Sequence, residues 1–171
     1  VATQVRQKDV KFICVDNSEA MTQRCEQRLG RHLSPEAFEL ICEDICALLM
    51  QNASMVVLNF TLQFIAPDLR QALLVKIYDA LLPGGVLLLS EKVRFADPQQ
   101  QEAVNALYLE FKRANGYSEM EISQKRAALE KVMIPDTPEM HFERFKEAGF
   151  AQHTLWFQSF SFVSMLAVKG G

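Results

Sequence analysis

An apolar run that stops at an acid, Phe12-Ile13-Cys14-Val15-Asp16, leads through Asn17-Ser18 into a helical pattern. In a doubly wound α/β sheet the ligand crevice lies outside the carboxyl ends of the strands, which is where Asp16 would stand. A carboxylate there can accept hydrogen bonds from both hydroxyls of a ribose, so an adenosine-type ligand is the first expectation. The competing reading of Asp16 is an acid that stabilises the dipole of the helix that follows.

The rest of the chain keeps the same rhythm. Ser18 is placed to cap a helix over about Glu19 to Leu29, ended by Gly30. Phe38-Glu39-Leu40-Ile41-Cys42 predicts a second strand and leads to Glu43-Asp44-Ile45. Met55 to Phe60 is the clearest buried strand, with the nearly continuous apolar pattern of a strand covered by helices on both faces. Pro67 suits the first turn of a helix running to about Leu82, with Leu69, Leu73, Ile77 and Leu81 on one face. Pro83-Gly84-Gly85 breaks that helix before a strand over Val86 to Glu91. This alternation predicts parallel strands joined by crossover helices.

Past Asp97-Pro98 the pattern turns helical, over Gln99 to Arg113, Ile122 to Val132, and Pro138 to Ala148 with Gly149 as the stop. Thr154 to Val168 reads as two terminal strands turning back near Gln158-Ser159, and Trp156 with the Phe-rich tail reads as core. One α/β domain over residues 1–171 is expected, with 98–133 as a helical lid or insertion.

Composition narrows the class. A chain of 171 residues, 49% hydrophobic and 23% charged, can bury a full core. A net charge of −3 supplies no general attraction to nucleic acid, so no direct nucleic-acid binding is expected. No apolar run is long enough to span a bilayer, and the first residues lack the apolar region of a signal peptide. The expectation is a cytoplasmic protein without membrane contact. The four cysteines, Cys14, Cys25, Cys42 and Cys46, make no C-x-x-C pair and read as buried reduced thiols, with no metal expected. Without an initiator methionine, and beginning in what reads as a helix or its end, the chain is expected to lack an N-terminal part.

Several polar side chains fall at predicted strand ends. Asp44 follows the second strand as Asp16 ends the first, so the pair would flank a nucleoside, one acid at the ribose and the other accepting from the exocyclic amine of a base. A solvated loop acid is the alternative for Asp44, and a turn former is the alternative for Asn17. Asn59 reads as a buried amide that needs partners, either loop backbone or a ligand over the sheet edge. Glu91 closes its strand similarly, although a salt bridge to Lys92 or Arg94 would explain it. Phe111 to Ser118 and Ile122 to Arg126 are rich in bases, which read as a solvated helix face or as a receptor for an anion. His32, His141 and His153 make no local pattern.

Ile13-Cys14-Val15-Asp16, Glu43-Asp44-Ile45, Leu58-Asn59-Phe60 and Leu82-Pro83-Gly84-Gly85 together resemble a Rossmann-like class I S-adenosylmethionine-dependent methyltransferase fold. That fold has a mostly parallel sheet with a C-terminal antiparallel strand. Longer blocks carry a sharper likeness: Val15-Asp16-Asn17-Ser18-Glu19-Ala20-Met21, Gln51 to Phe64, Phe111 to Ser118 with Ile122 to Arg126, and Leu155-Trp156-Phe157-Gln158. These resemble the bacterial carboxy-S-adenosyl-L-methionine synthases over nearly the whole chain. The resemblance implies an enzyme that converts S-adenosyl-L-methionine and prephenate to carboxy-S-adenosyl-L-methionine and phenylpyruvate. Its product supplies a partner transferase that installs a carboxymethyl-type group on the wobble uridine of tRNA. It also implies a homodimer, with Asp16 and Asn17 at the ribose region, Asp44 and Ile45 at the adenine and Asn59 at the cofactor. Arg126 would receive the new carboxylate, with Lys125 and Arg113 as further candidates for the anionic substrate. The family's first strand and the glycine-rich loop after it are missing from this sequence, which puts cofactor binding by this chain in question. The rival expectation is an ordinary methyltransferase acting on a small molecule or RNA.

Overall fold

The computed structural model describes residues 10–130 and 132–171, apart from the side chains of Lys125, Arg126 and Glu130. The reading of the first residues as a helix end lies outside them. The chain divides after Leu49 into two compact units.

In the first unit, β1 (Phe12–Asp16) and β2 (Phe38–Cys42) pair in parallel from Phe12↔Phe38 to Asp16↔Cys42, and α1 (Glu19–Leu29) makes the crossover. The strands and the helix fall where the sequence places them. Ser18 stands at the N-cap, but its side chain makes no capping bond. Instead Asp16 Oδ1 accepts the Ser18 N–H at 2.8 Å and fixes the turn into the helix. The cysteines are reduced as expected but not buried: Cys42 is exposed and the other three are half-buried, and none of the four is in a disulfide. A pair of strands and one helix cannot enclose them.

The second unit is a four-stranded sheet in the order β3-β4-β6-β5. Its strands are β3 (Ala53–Asn59), β4 (Leu81–Lys92), β5 (Gln152–Ser159) and β6 (Phe162–Val168). β3 and β4 are parallel, joined through α2 (Pro67–Ala80), whereas β6 runs antiparallel to both β4 and β5. Between them come α3 (Pro98–Ala114), α4 (Glu119–Glu130) and α5 (Pro138–Ala148). Side chains alternate across the sheet, so Leu87, Leu89 and Glu91 share one face with Val163, Met165 and Ala167, and all six are buried. Burying each large apolar side chain here stabilises the fold by about 1.5–3 kcal/mol.

Four local expectations change. β3 is not covered on both faces: Leu58 is buried, while Met55 and Val57 are exposed. In α2 the buried stripe is Arg70, Leu73, Leu74, Ile77 and Ala80, and Leu69 is exposed, so the helix is turned toward a charged residue. α2 ends at Ala80 and β4 begins at once, with Pro83-Gly84-Gly85 looped out between the pairs Ala53↔Leu81 and Met55↔Val86. Gly84 has φ 74°, and a Cβ on Gly85 would come within 2.7 Å of the Leu82 carbonyl, so both glycines are needed. α4 starts a turn earlier than predicted because Ser118 and Glu121 form a capping box: the Ser118 N–H donates to Glu121 Oε2 (2.8 Å) and the Glu121 N–H to Ser118 Oγ (3.3 Å).

The tail also departs from expectation. β5 and β6 turn at Phe160-Ser161, not at Gln158-Ser159. Phe160 takes φ 53° there while its ring packs against Tyr108 and Phe111. The register shifts between Leu155 and Phe157, and Trp156 and Phe157 are exposed instead of core.

Gly149 ends α5 in the left-handed region at φ 107°, and a Cβ there would lie 2.8 Å from the Tyr78 ring. Gly149→Ala is therefore expected to cost about 2–4 kcal/mol, from left-handed strain plus overlap with the ring. Urea titration of both proteins checks this, and a loss below about 1 kcal/mol would show that the turn relaxes freely.

Candidate ligand site at the strand tips

In the first unit the parallel pairing sets the C-terminal tips of β1 and β2 side by side. The Asp16 carbonyl accepts the N–H of Glu43 at 3.2 Å, so the loop bearing Asp44 and Ile45 starts beside the loop bearing Asp16 and Asn17. Asp16 and Asp44 are both exposed and both fold their own loops: Asp44 Oδ1 accepts the Cys46 N–H at 2.8 Å, as Asp16 does for Ser18. Each acid spends one carboxylate oxygen on this Asx-type turn. Behind Asp16, Cys14, Thr22, Cys25 and Leu40 line a cleft of about 170 Å³. Burial and the neighbouring Cys25 push the Cys14 thiol up to about 11, so it stays protonated at neutral pH.

In the second unit Asn59 ends β3 opposite Ser90 of the parallel neighbour. It is exposed at the strand tip, which corrects the expectation of a buried amide. The backbone then reverses at Phe60, whose φ is 57°. The side chains of Arg126 and Lys125 lie outside the described residues. Arg113 is committed to Glu119 (2.5 Å) and Glu110 (2.6 Å), so its charge is already matched by two carboxylates. A larger cavity, about 450 Å³, lies at the opposite end of β3 and is lined by Asn52, Val75, Asp79 and Pro83 among others. Among the described residues no cluster of histidine, cysteine and carboxylate side chains is placed to hold a metal. No described helix is long and apolar enough to cross a membrane.

The best-defined polar structure is built on Glu91, which the sequence placed at a strand end, and on Arg70 and Asp136, which it did not single out. Glu91 is fully buried, and backbone groups fill its carboxylate where the sequence had offered Lys92 or Arg94 as the partner. Strand alternation sends it to the core face, where its carboxylate accepts the backbone N–H groups of Thr61 (3.1 Å), Leu62 (2.8 Å) and Gln63 (3.1 Å). Arg70, also fully buried, donates from Nε to the Ile65 carbonyl (2.9 Å), from Nη1 to Asp136 (2.5 Å) and from Nη2 to the carbonyls of Gln63 (3.3 Å) and Ile134 (2.9 Å). Asp136 accepts a second guanidinium, from Arg144, at 2.5 Å. Burial pushes the Asp136 carboxyl upward, but the bonds from Arg144 and Arg70 outweigh it and hold the group below its ordinary value. The one legible signal was a charge inside the apolar stripe of α2. Its partner Asp136 lies 66 residues away, so no spacing rule reveals the pair.

The order of strands and helices is that of a methyltransferase-type α/β fold, and a methyltransferase-domain family model matches residues 1–85. The structure of the S-adenosylmethionine-dependent methyltransferase SibL superposes with a TM-score of 0.63 at 14% identity, over 94% of this chain and 44% of SibL. That of PigF with SAH superposes with a TM-score of 0.62 at 15% identity, over 92% of this chain and 43% of PigF. At those identities the likeness carries the fold alone, and the chain spans less than half of either protein. A curated relative from Shewanella sp. (strain ANA-3), named carboxy-S-adenosyl-L-methionine synthase, is 53% identical over 99% of this chain and 70% of its own length. A second, from Shewanella oneidensis, carries the same name at 52% identity over the same shares. The chain belongs to the carboxy-S-adenosyl-L-methionine synthase family.

Besides Asp136, two buried groups make stability depend on pH. Burial raises Glu91 from its ordinary 4.5 to about 7, against the lowering effect of three N–H groups and Arg70. Its contribution is full below pH 4.5 and is lost as pH rises through about 7. Both nitrogens of His141 are buried without a hydrogen-bond partner, and burial lowers its pKa from 6.5 to about 4. Its contribution is full above pH 6.5 and is lost as pH falls through about 4. Denaturant midpoints between pH 4 and 8 should show Glu91→Gln gaining about 3 kcal/mol on the parent as pH rises. A difference that does not change with pH would sink this assignment.

Proposed function

We propose that the protein makes carboxy-S-adenosyl-L-methionine and phenylpyruvate from S-adenosyl-L-methionine and prephenate, in the cytoplasm and as a homodimer. Its product goes to a transferase that completes a carboxymethyl-type modification of wobble uridine in tRNA, so no direct nucleic-acid contact is needed. The observation that carries this reading is 53% identity, across 99% of the chain, to a relative named for the synthesis. The geometry agrees with it in the first unit, where two exposed acids stand at neighbouring parallel strand tips.

Asp16 and Asn17 take the ribose region, Asp44 and Ile45 the adenine, and Asn59 the cofactor. A carboxylate with one oxygen spent on its own loop keeps lone pairs for ligand hydroxyls or an amine, and holds them in a fixed direction. The sulfonium charge of the cofactor acidifies its methyl hydrogens, so an ylide forms there. Prephenate gives up carbon dioxide and its ring hydroxyl on becoming aromatic. The ylide carbon takes the carbon dioxide, and the methyl proton leaves with the hydroxyl as water. The new carboxylate suits the two parallel N–H donors of a guanidinium, the role of Arg126.

Mass spectrometry of the nucleoside products decides between this and ordinary methyl transfer. Carboxylated cofactor should appear only with prephenate, and Arg126→Ala should lower its rate about 100-fold or more, as expected when a charge-assisted contact to the product is lost. S-adenosylhomocysteine formed at the parental rate without prephenate would establish the methyltransferase reading instead.

A further inference from the structure

In the proposed function Asn59 and Arg126 act on different parts of the reacting ligand, and the chain leaving each of them is held by one buried cluster. After Asn59 the backbone turns at Phe60, a left-handed residue with a side chain, and such a conformation persists only when its surroundings enforce it. The next three N–H groups all end on Glu91. The side-chain carbonyl of Gln63, in the same turn, accepts the Lys92 N–H at 2.9 Å. Beyond α4, the helix that carries Arg126, the Ile134 N–H donates to the Gln63 carbonyl at 2.9 Å. Arg70 Nη2 bridges the carbonyls of Gln63 and Ile134, while Nη1 holds Asp136 two residues further on.

The geometry points to Glu91 and Arg70 as positioning residues of the reaction: Glu91 sets the turn that follows Asn59, and Arg70 joins that turn to the segment leaving α4. For the roles of Asn59 and Arg126 this rests on the proposed function. An apolar pair of similar volume would fill the same space without desolvating two charges. What a carboxylate and a guanidinium add is direction, since Glu91 orients three backbone N–H groups and Arg70 orients three carbonyls. A lysine cannot do the second, because an ammonium is a point donor and not a planar fork. Nor can a glutamine do the first, because its amide nitrogen would face the N–H of Gln63, donor against donor.

The test uses Arg70→Lys and Glu91→Gln, each compared with the parent at pH 8 after a cooperative melt confirms folding. Arg70→Lys is expected to keep its dissociation constant for S-adenosylmethionine within about twofold while kcat for the carboxylated product falls about tenfold or more, the scale of a small misplacement of reacting groups. Glu91→Gln is expected to raise that dissociation constant about fivefold or more. Amide exchange should quicken at Gln63 in Glu91→Gln and at Ile134 in Arg70→Lys. Parental kcat, KM and dissociation constant in both folded variants would overturn the proposal and leave the cluster a purely structural one. If the parent makes no carboxylated cofactor, the proposed function fails separately. The exchange arm then decides alone, since unchanged protection at both amides overturns the clamp and faster exchange upholds it. If Arg70→Lys does not fold, Glu91→Gln supplies the kinetic comparison.

Discussion

Arg70 is a full positive charge with no access to water, and the second unit is arranged around that fact. An uncompensated charge in such a place would cost several kcal/mol, and removing one partner of a buried pair typically costs about 3–5 kcal/mol. The chain meets the demand with one carboxylate, Asp136, and three carbonyls. Those acceptors come from the turn after β3 and from the segment between α4 and α5, so satisfying one side chain draws distant stretches of sequence together. Glu91 does the same with opposite sign, and its acceptors are filled by backbone N–H groups of the same turn.

The consequence for function follows from where that turn lies. Parallel strands gather their C-terminal ends, and residues just past those ends are the ones free to meet a ligand. Asp16 and Asp44 stand at such ends in the first unit, on loops that each acid ties down for itself. Asn59 carries no such local tie, and the rigidity of its loop is supplied from beneath by buried ionic groups. The two solutions differ because a short loop into a helix can be fixed by its own side chain, whereas a reversal through a left-handed phenylalanine needs support from outside the loop.

Much of this was legible in the chain itself. The acid-ended run Phe12 to Asp16, the proline openings of α2 and α5 and the glycine stop at Gly149 each carry a local cause, and each element formed where that cause placed it. The errors share a different origin. Leu69 was assigned to a buried stripe and Arg70 was not, because periodicity cannot tell that a charge will find a partner 66 residues on. Asn59 read as buried because its neighbours are apolar, yet it stands at an exposed strand tip. Trp156 read as core because of its composition, and a register shift beside it left it exposed.

The sequence by itself determined the alternation of strands and helices, the placement of acids at strand ends and the family, because these depend on spacing and residue type within short windows. Only the tertiary structure decided that Glu91 turns inward to three N–H groups, that Arg70 is spent on the turn beyond Asn59, and that Phe160 can occupy a hairpin turn. The reason is physical: the energy of a buried charge or a strained residue is set by the partners that surround it in space, and those partners come from parts of the chain that no local pattern connects.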